Sequence, residues 1–206
     1  MNKNVFSSGI KKLTTKRKYY HGSATQIHGD FLQPREQFNS VQNKRVTGAF
    51  VTDHAEYAKF FALVKCLSGR GQVKYDYTQK TGDKKIFFER LAKNIKPEFY
   101  LYTVYEPTNA PFIHDRGTEY YSTKPIKISG RETYNTFAEL RKMGYKIYEL
   151  NEPLKNKPGT STNDNLQSEM RQAISDGKYH RVDIADLIKQ QPSRNILQRL
   201  FNKQND

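Results

Sequence analysis

The hydrophobic and polar positions along this chain fall into short runs with two periods. Lys18-Tyr19-Tyr20-His21-Gly22-Ser23 predicts a strand that ends at the glycine. Residues 24–47 are polar, carry Gly29, Pro34, Asn39 and Asn43, and predict a long loop of the kind that is usually functional or mobile. Gly48-Ala49-Phe50-Val51-Thr52 predicts a second strand. From about His54 to Leu67 the spacing of Ala55, Ala58, Phe61, Ala62 and Lys65 is helical, with Asp53 as the expected N-cap and Glu56 three residues later. Residues 72–86 predict a loop or hairpin, and Ile86 to Ile95 a short amphipathic helix stopped ahead of Pro97. Phe99 to Tyr105 is the clearest strand, aromatic and β-branched, and Pro107 breaks it. A loop over 108–119, a strand from Tyr120 to Ser129, a helix over 133–143 closed by Gly144, and a strand from Tyr145 to Leu150 follow.

Short mixed strands with two or three helices indicate an α+β domain that closes near residue 150. Residues 151–165, with Pro153, Pro158, Gly159 and a Thr-Ser-Thr-Asn run, have the composition of a linker. Beyond it, Leu166–Asp176, Ile184–Gln190 and Asn195–Phe201 are expected as helices, making 166–206 a helical C-terminal extension.

Composition narrows the class. The chain has 206 residues, of which 13% are aromatic, including 14 Tyr, so most of it should fold. The only cysteine, Cys66, excludes a disulfide framework or a Cys-cluster metal site, and reads as a small core residue. None of the five histidines stands at metal-ligand spacing from another, so no metal is expected. No run approaches the roughly 18 apolar residues of a membrane span, and no membrane partner is expected. No apolar segment follows the N-terminal charges. The expected location is therefore cytoplasmic, or secreted into a host or target cell without a classical signal peptide.

The charge changes the picture more. Thirty-five Lys and Arg against 21 Asp and Glu leave +14, which suggests an acidic partner. Lys3, Lys11, Lys12, Lys16, Arg17 and Lys18 make residues 1–18 a basic arm without an acid. Such an arm is either a solvated tail or a contact for phosphate or nucleic acid.

No phosphate-binding glycine loop, dinucleotide fingerprint, HExxH or CxxC occurs. His21 is the informative histidine: glycine beside it lets backbone approach a ligand, and its ring offers a directional hydrogen bond to a sugar hydroxyl. Tyr20-His21-Gly22-Ser23, Gly29-Asp30-x-Leu32-x-Pro34, Ala49-Phe50-Val51-Thr52, Ser68-Gly69-Arg70-Gly71, Val104-x-Glu106-Pro107, Thr123-x-Pro125-Ile126 and Glu139-Leu140-Arg141-x-x-Gly144 occur in that order. Together they resemble the rifamycin branch of the ADP-ribosyltransferase superfamily, over residues 19–149, with an insertion near 72–97.

The resemblance implies a compact split-sheet core over 19–150 and NAD as substrate. In the family's His-Tyr-Asp/Glu triad, His maps to His21 and the strand aromatic to Phe50, where the family has Tyr. A Phe face still stacks on nicotinamide, and Tyr57 on the following helix is the alternative. The acid maps to Asp115 or to Glu119. Tyr20, Gly22, Ser23 and Thr52 would line the pocket, and Arg35 and Arg45, with Lys18 and Lys44, are candidates for the NAD pyrophosphate. The implied activity is mono-ADP-ribosyl transfer to a macromolecular acceptor, protein or nucleic acid, as in a bacterial effector or toxin. The arm, insertion and tail argue against an antibiotic acceptor. NAD hydrolysis and RNA 2′-phosphotransfer are alternatives within the superfamily. A non-catalytic nucleic-acid-binding protein using the basic arm and Tyr-rich strands is the alternative outside it.

Overall fold

The computed structural model describes residues 17–39, 44–68, 73–76, 84–107, 110–152 and 172–189. The expected helix over 195–201, most of the linker, the turn at 69–71 and all but the end of the basic arm lie outside the described residues. The architecture is mixed α+β, mostly strands in antiparallel sheets with a few short helices.

The first sheet follows the order β2 (Phe31–Leu32), β10 (Ile126–Asn135), β7 (Glu98–Tyr105), β1 (Lys18–Ser23), β4 (Lys44–Thr52), β9 (Glu119–Ser122) and β8 (Ile113–Arg116). Strand β3 (Arg35–Asn39) adds to β4 as a hairpin. Every pairing in this sheet is antiparallel. The second sheet runs β12 (Tyr179–Val182), β11 (Lys146–Leu150), β6 (Lys85–Phe88) and β5 (Val73–Asp76), with β6 and β11 parallel. Helix α1 (Ala55–Leu67) packs on β1 and β7, and α2 (Thr136–Met143) and α3 (Ile184–Lys189) complete the elements used below.

Two apolar clusters form the core. One joins α1 (Phe60, Leu63, Leu67) to β6 (Ile86, Phe88), α2 (Leu140) and β11 (Ile147). The other fills the opposite side of the first sheet, with Tyr19, Val51, Tyr102, Val104 and Ile126. Strand β7 serves both, Phe99 facing one cluster and Tyr102 and Val104 the other, which explains its unbroken aromatic run. Cys66 is buried at 1% exposure, and burial pushes its thiol pKa up, as expected of a core residue.

Several expectations required correction. The predicted loop over 24–47 contains β2, β3 and the first half of β4, and the loop over 108–119 contains β8. These strands lie at or near sheet edges, where polar residues face water and the apolar alternation fades. The strand expected over 120–129 is two strands, β9 and β10, separated at 123–125. Ile86 to Ile95 is not a helix: Ile86, Phe87 and Phe88 are consecutive buried residues of β6. Ile86 and Phe88 face α1 and α2, while Phe87 stacks on Tyr148 and meets Tyr179 edge-on. A strand covered on both faces carries no alternation to read.

Asp53 does not cap α1. The amide of His54 donates to Thr52 Oγ1 at 3.2 Å, and the Asp53 carboxylate pairs with Arg17. Residues 133–135 extend β10, so α2 starts at Thr136 with Asn135 as N-cap, its side chain accepting from Ala138 N at 2.9 Å. Gly144 ends α2 at φ 69°, a conformation that a Cβ disfavours. Asn135→Ala should cost about 1 kcal/mol, read as a lower urea midpoint without a change in slope. The C-terminal extension is not all helical. After a helical turn at 172–175, Tyr179–Val182 pairs antiparallel with β11, and only then does the expected helix follow, over Ile184–Lys189.

Candidate active site

The site begins with a gap between two neighbouring strands. β1 is tied to β7 along its whole length, from Lys18–Tyr105 to Ser23–Tyr100. With β4 it is in register at the single pair Tyr20–Thr52. Just beyond that pair the His21 ring bridges to β4, Nδ1 lying 2.8 Å from the Phe50 carbonyl oxygen. A carbonyl only accepts, so Nδ1 carries the hydrogen and donates, which leaves Nε2 as an acceptor in the neutral ring.

Helix α1 closes over this point because Gly22 has no side chain. A Cβ there would lie 1.8 Å from the Ala58 carbonyl oxygen and 3.1 Å from the Ala62 Cβ. Lys65 follows Ala58 and Ala62 on the same helical face. It couples electrostatically to Arg35 of β3, and both bear on His21. Among the described residues neither Arg35 nor Lys65 has an acidic partner. Lys65 is solvent-exposed along its length, but partial desolvation of its ammonium against the fold lowers its pKa, and Arg35 lowers it further. Burial is also the main cause of the lowered His21 pKa. The Phe50 carbonyl opposes it, and Lys65 and Arg35 add to the lowering.

A second group lies along β4 and β9. Phe50 pairs in register with Tyr121, their ring centroids 5.4 Å apart, and Thr52 pairs with Glu119. From α1 the Tyr57 hydroxyl donates to Glu119 Oε1 at 3.4 Å. Thr52 is buried at 5% exposure, its hydroxyl shared between His54 N and Thr118 Oγ1. Hence Phe50, Thr52, Tyr57 and Glu119 come together from β4, α1 and β9, while the His21 ring, next along β1 from Tyr20, lies against the Phe50 carbonyl and 6.2 Å from the Tyr102 ring.

The other candidates stand differently. Asp115 lies at the register shift of β8, one strand farther from β4 than Glu119. Arg45 pairs with Glu36 at 2.6 Å, three residues along β4 from the Gly48 that faces Arg35. The Ser23 hydroxyl is engaged in a local turn with Thr25. Tyr20 sits beside His21 at the β1–β4 pair, whereas Lys18 and Lys44 begin their strands. Sequence reasoning missed Lys65, Tyr121 and Arg17. Helical spacing from Ala58 could have singled out Lys65; nothing local marks the other two. Arg17 binds Asp53 and lies over the rings of Tyr19 and Tyr120, at 5.4 and 5.6 Å.

The His21 environment has a pH consequence. Its folded pKa is below 6.5, so below that pH the unfolded chain binds a proton that the folded chain resists. Stability therefore falls on acidification from about pH 6.5 towards the lowered folded pKa. In urea titrations across that range, His21→Gln should flatten the slope by up to about one proton. Equal slopes for the two proteins would contradict a half-buried ring held neutral.

Among the described residues no group of three or more His, Cys, Asp or Glu could hold a metal ion. No helix among them is long and apolar enough to cross a membrane. Comparison with family models, curated proteins and solved structures finds no match for this chain.

Proposed function

We propose that the protein is an NAD-dependent mono-ADP-ribosyltransferase. The observation that carries this reading is the His21 ring bridging β1 to the Phe50 carbonyl of β4, with Arg35 and Lys65, neither of which has an acidic partner among the described residues, in electrostatic reach of it. The resemblance of the ordered motifs supports it independently of that geometry. His21 Nε2 accepts a hydrogen bond from an NAD ribose hydroxyl. Arg35 and Lys65 receive the pyrophosphate, which removes the cost of holding like charges together. Phe50, backed by Tyr121, or Tyr57 offers an aromatic face to nicotinamide.

Glu119 is the acid we assign, because its partners are Thr52 in register and Tyr57 by hydrogen bond. Breaking the bond between nicotinamide and ribose sends the electron pair to nicotinamide and leaves an oxocarbenium-like C1′. A nearby carboxylate stabilises that charge and takes the proton of the attacking acceptor. No covalent enzyme intermediate is needed. The +14 charge favours an acidic macromolecular acceptor, protein or nucleic acid.

The test uses the full chain and NAD labelled in the nicotinamide ring. Release of nicotinamide above buffer, raised by DNA, RNA or protein acceptors, is the expected result. Release that acceptors do not change would point to hydrolysis of NAD by the same cleft. Salt-sensitive nucleic-acid binding with neither NAD binding nor release would overturn the transferase in favour of a binding protein.

A further inference from the structure

A second concave site lies in the other sheet. A cleft of ≈ 200 Å³ opens between α2, β11, β12 and the start of α3. Its wall includes Ile147, Val182 and Ile184, with Ile147 only 1% exposed. Arg141 of α2 and Arg181 of β12 also line it, both solvent-exposed. Among the described residues neither guanidinium has an acidic partner. Asp183, the acid of the cleft, already accepts the Ala185 amide at 2.7 Å.

Size and charge together restrict what fits. An apolar protein cavity of about 150 Å³ holds one benzene molecule, whereas drug-sized ligands need roughly 300–1,000 Å³. The enclosed part of the cleft therefore takes one ring or a short alkyl group. Two guanidinium forks on separate elements suit an anion with several acceptor oxygens, since each can donate two parallel hydrogen bonds. An apolar wall beside them favours an anion that carries an apolar group over the bare ion.

We propose that this cleft binds a small organic phosphate monoester, its phosphate on Arg141 and Arg181 and its apolar group on the half-buried Val182 and Ile184. The site shares no residue with the His21 neighbourhood and does not depend on the transferase reading. The probe is phenyl phosphate, titrated into the full chain by isothermal calorimetry at low salt, beside inorganic phosphate and phenol. Saturable binding of phenyl phosphate is expected, tighter than for either control.

The Arg141→Gln/Arg181→Gln protein should weaken binding at least about tenfold, since hydrogen bonds to charged groups are among the stronger ones. Ile184→Ser should weaken phenyl phosphate and leave inorganic phosphate unchanged. Both substitutions alter half-exposed or exposed residues, and circular dichroism verifies that the folds match. The Arg141→Lys/Arg181→Lys protein keeps the charge and should recover only part of the affinity. Binding retained by the double Gln variant would overturn the proposal, because the anion would then rest on another cation, Lys146 of the same cleft or Arg35 and Lys65. Phenyl phosphate binding no better than inorganic phosphate would overturn it too, by removing the apolar wall's part.

Discussion

Glu119→Gln is expected to lower nicotinamide release by about a hundred- to thousandfold, the range seen when one preorganised electrostatic group is removed from a charge-developing site. The substitution keeps shape and hydrogen-bond capacity but removes the negative charge that opposes the oxocarbenium. NAD binding should change little, so the loss falls on kcat rather than KM. Asp115→Asn, one strand away on β8, should stay within about twofold of the unaltered protein. Tyr57→Phe keeps the ring and removes the hydroxyl that donates to Glu119, so a smaller fall is expected. A profile in which Asp115→Asn is inactive and Glu119→Gln is not would reverse the assignment of the acid. Inactivity of Tyr57→Ala with activity of Phe50→Ala would give nicotinamide stacking to the helix.

Gly22→Ala is the substitution expected to damage the fold most for its size. The added methyl would sit 1.8 Å from the carbonyl oxygen of Ala58, well inside contact distance. That oxygen belongs to the backbone of α1, so no rotamer change relieves the clash. Either α1 lifts from β1 or the strand moves away, and both disturb the β1–β4 gap. Overpacking a well-filled site costs about 1–3 kcal/mol and occasionally more. A rigid backbone contact belongs at the upper end. For a chain of this size, about 3 kcal/mol lowers the midpoint of thermal unfolding by roughly 6–12 °C. Gly48→Ala, whose Cβ would meet the movable Tyr121 ring at 2.9 Å, should cost less. A midpoint for Gly22→Ala within a degree of the unaltered protein would show that α1 can adjust freely.

The β1 strand, α1, β7 and β11 were legible because each has a clear local period. β1 begins at Lys18 as its pattern predicts and runs one residue past the expected end at Gly22, to Ser23, and α1 and β7 agree to within a residue at each end. Strand β6 was illegible for the opposite reason: three buried residues in a row look the same in a covered strand and a short helix. Strand β12 was hidden because Tyr-His-Arg-Val is half exposed and gains its strand character by pairing with β11. The candidate site was legible in part. The His-Gly motif stands out as letters, but its contact with the Phe50 carbonyl links positions 29 residues apart.

By itself, then, the sequence determined the class of the protein, α+β and strongly basic, and the neighbourhood of its most interesting histidine. Those properties are local: periodicity, glycine beside histidine and formal charge need no knowledge of what lies across the sheet. Only the tertiary structure decided which distant residues lie beside that histidine and beside the strand it bridges to. Register set Glu119 opposite Thr52 and left Asp115 at the bulge. The missing Cβ of Gly22 let α1 approach, which put Lys65 in electrostatic reach of His21. These are consequences of strand register and close packing, which relate residues far apart in the chain and therefore leave no mark in any short window of it.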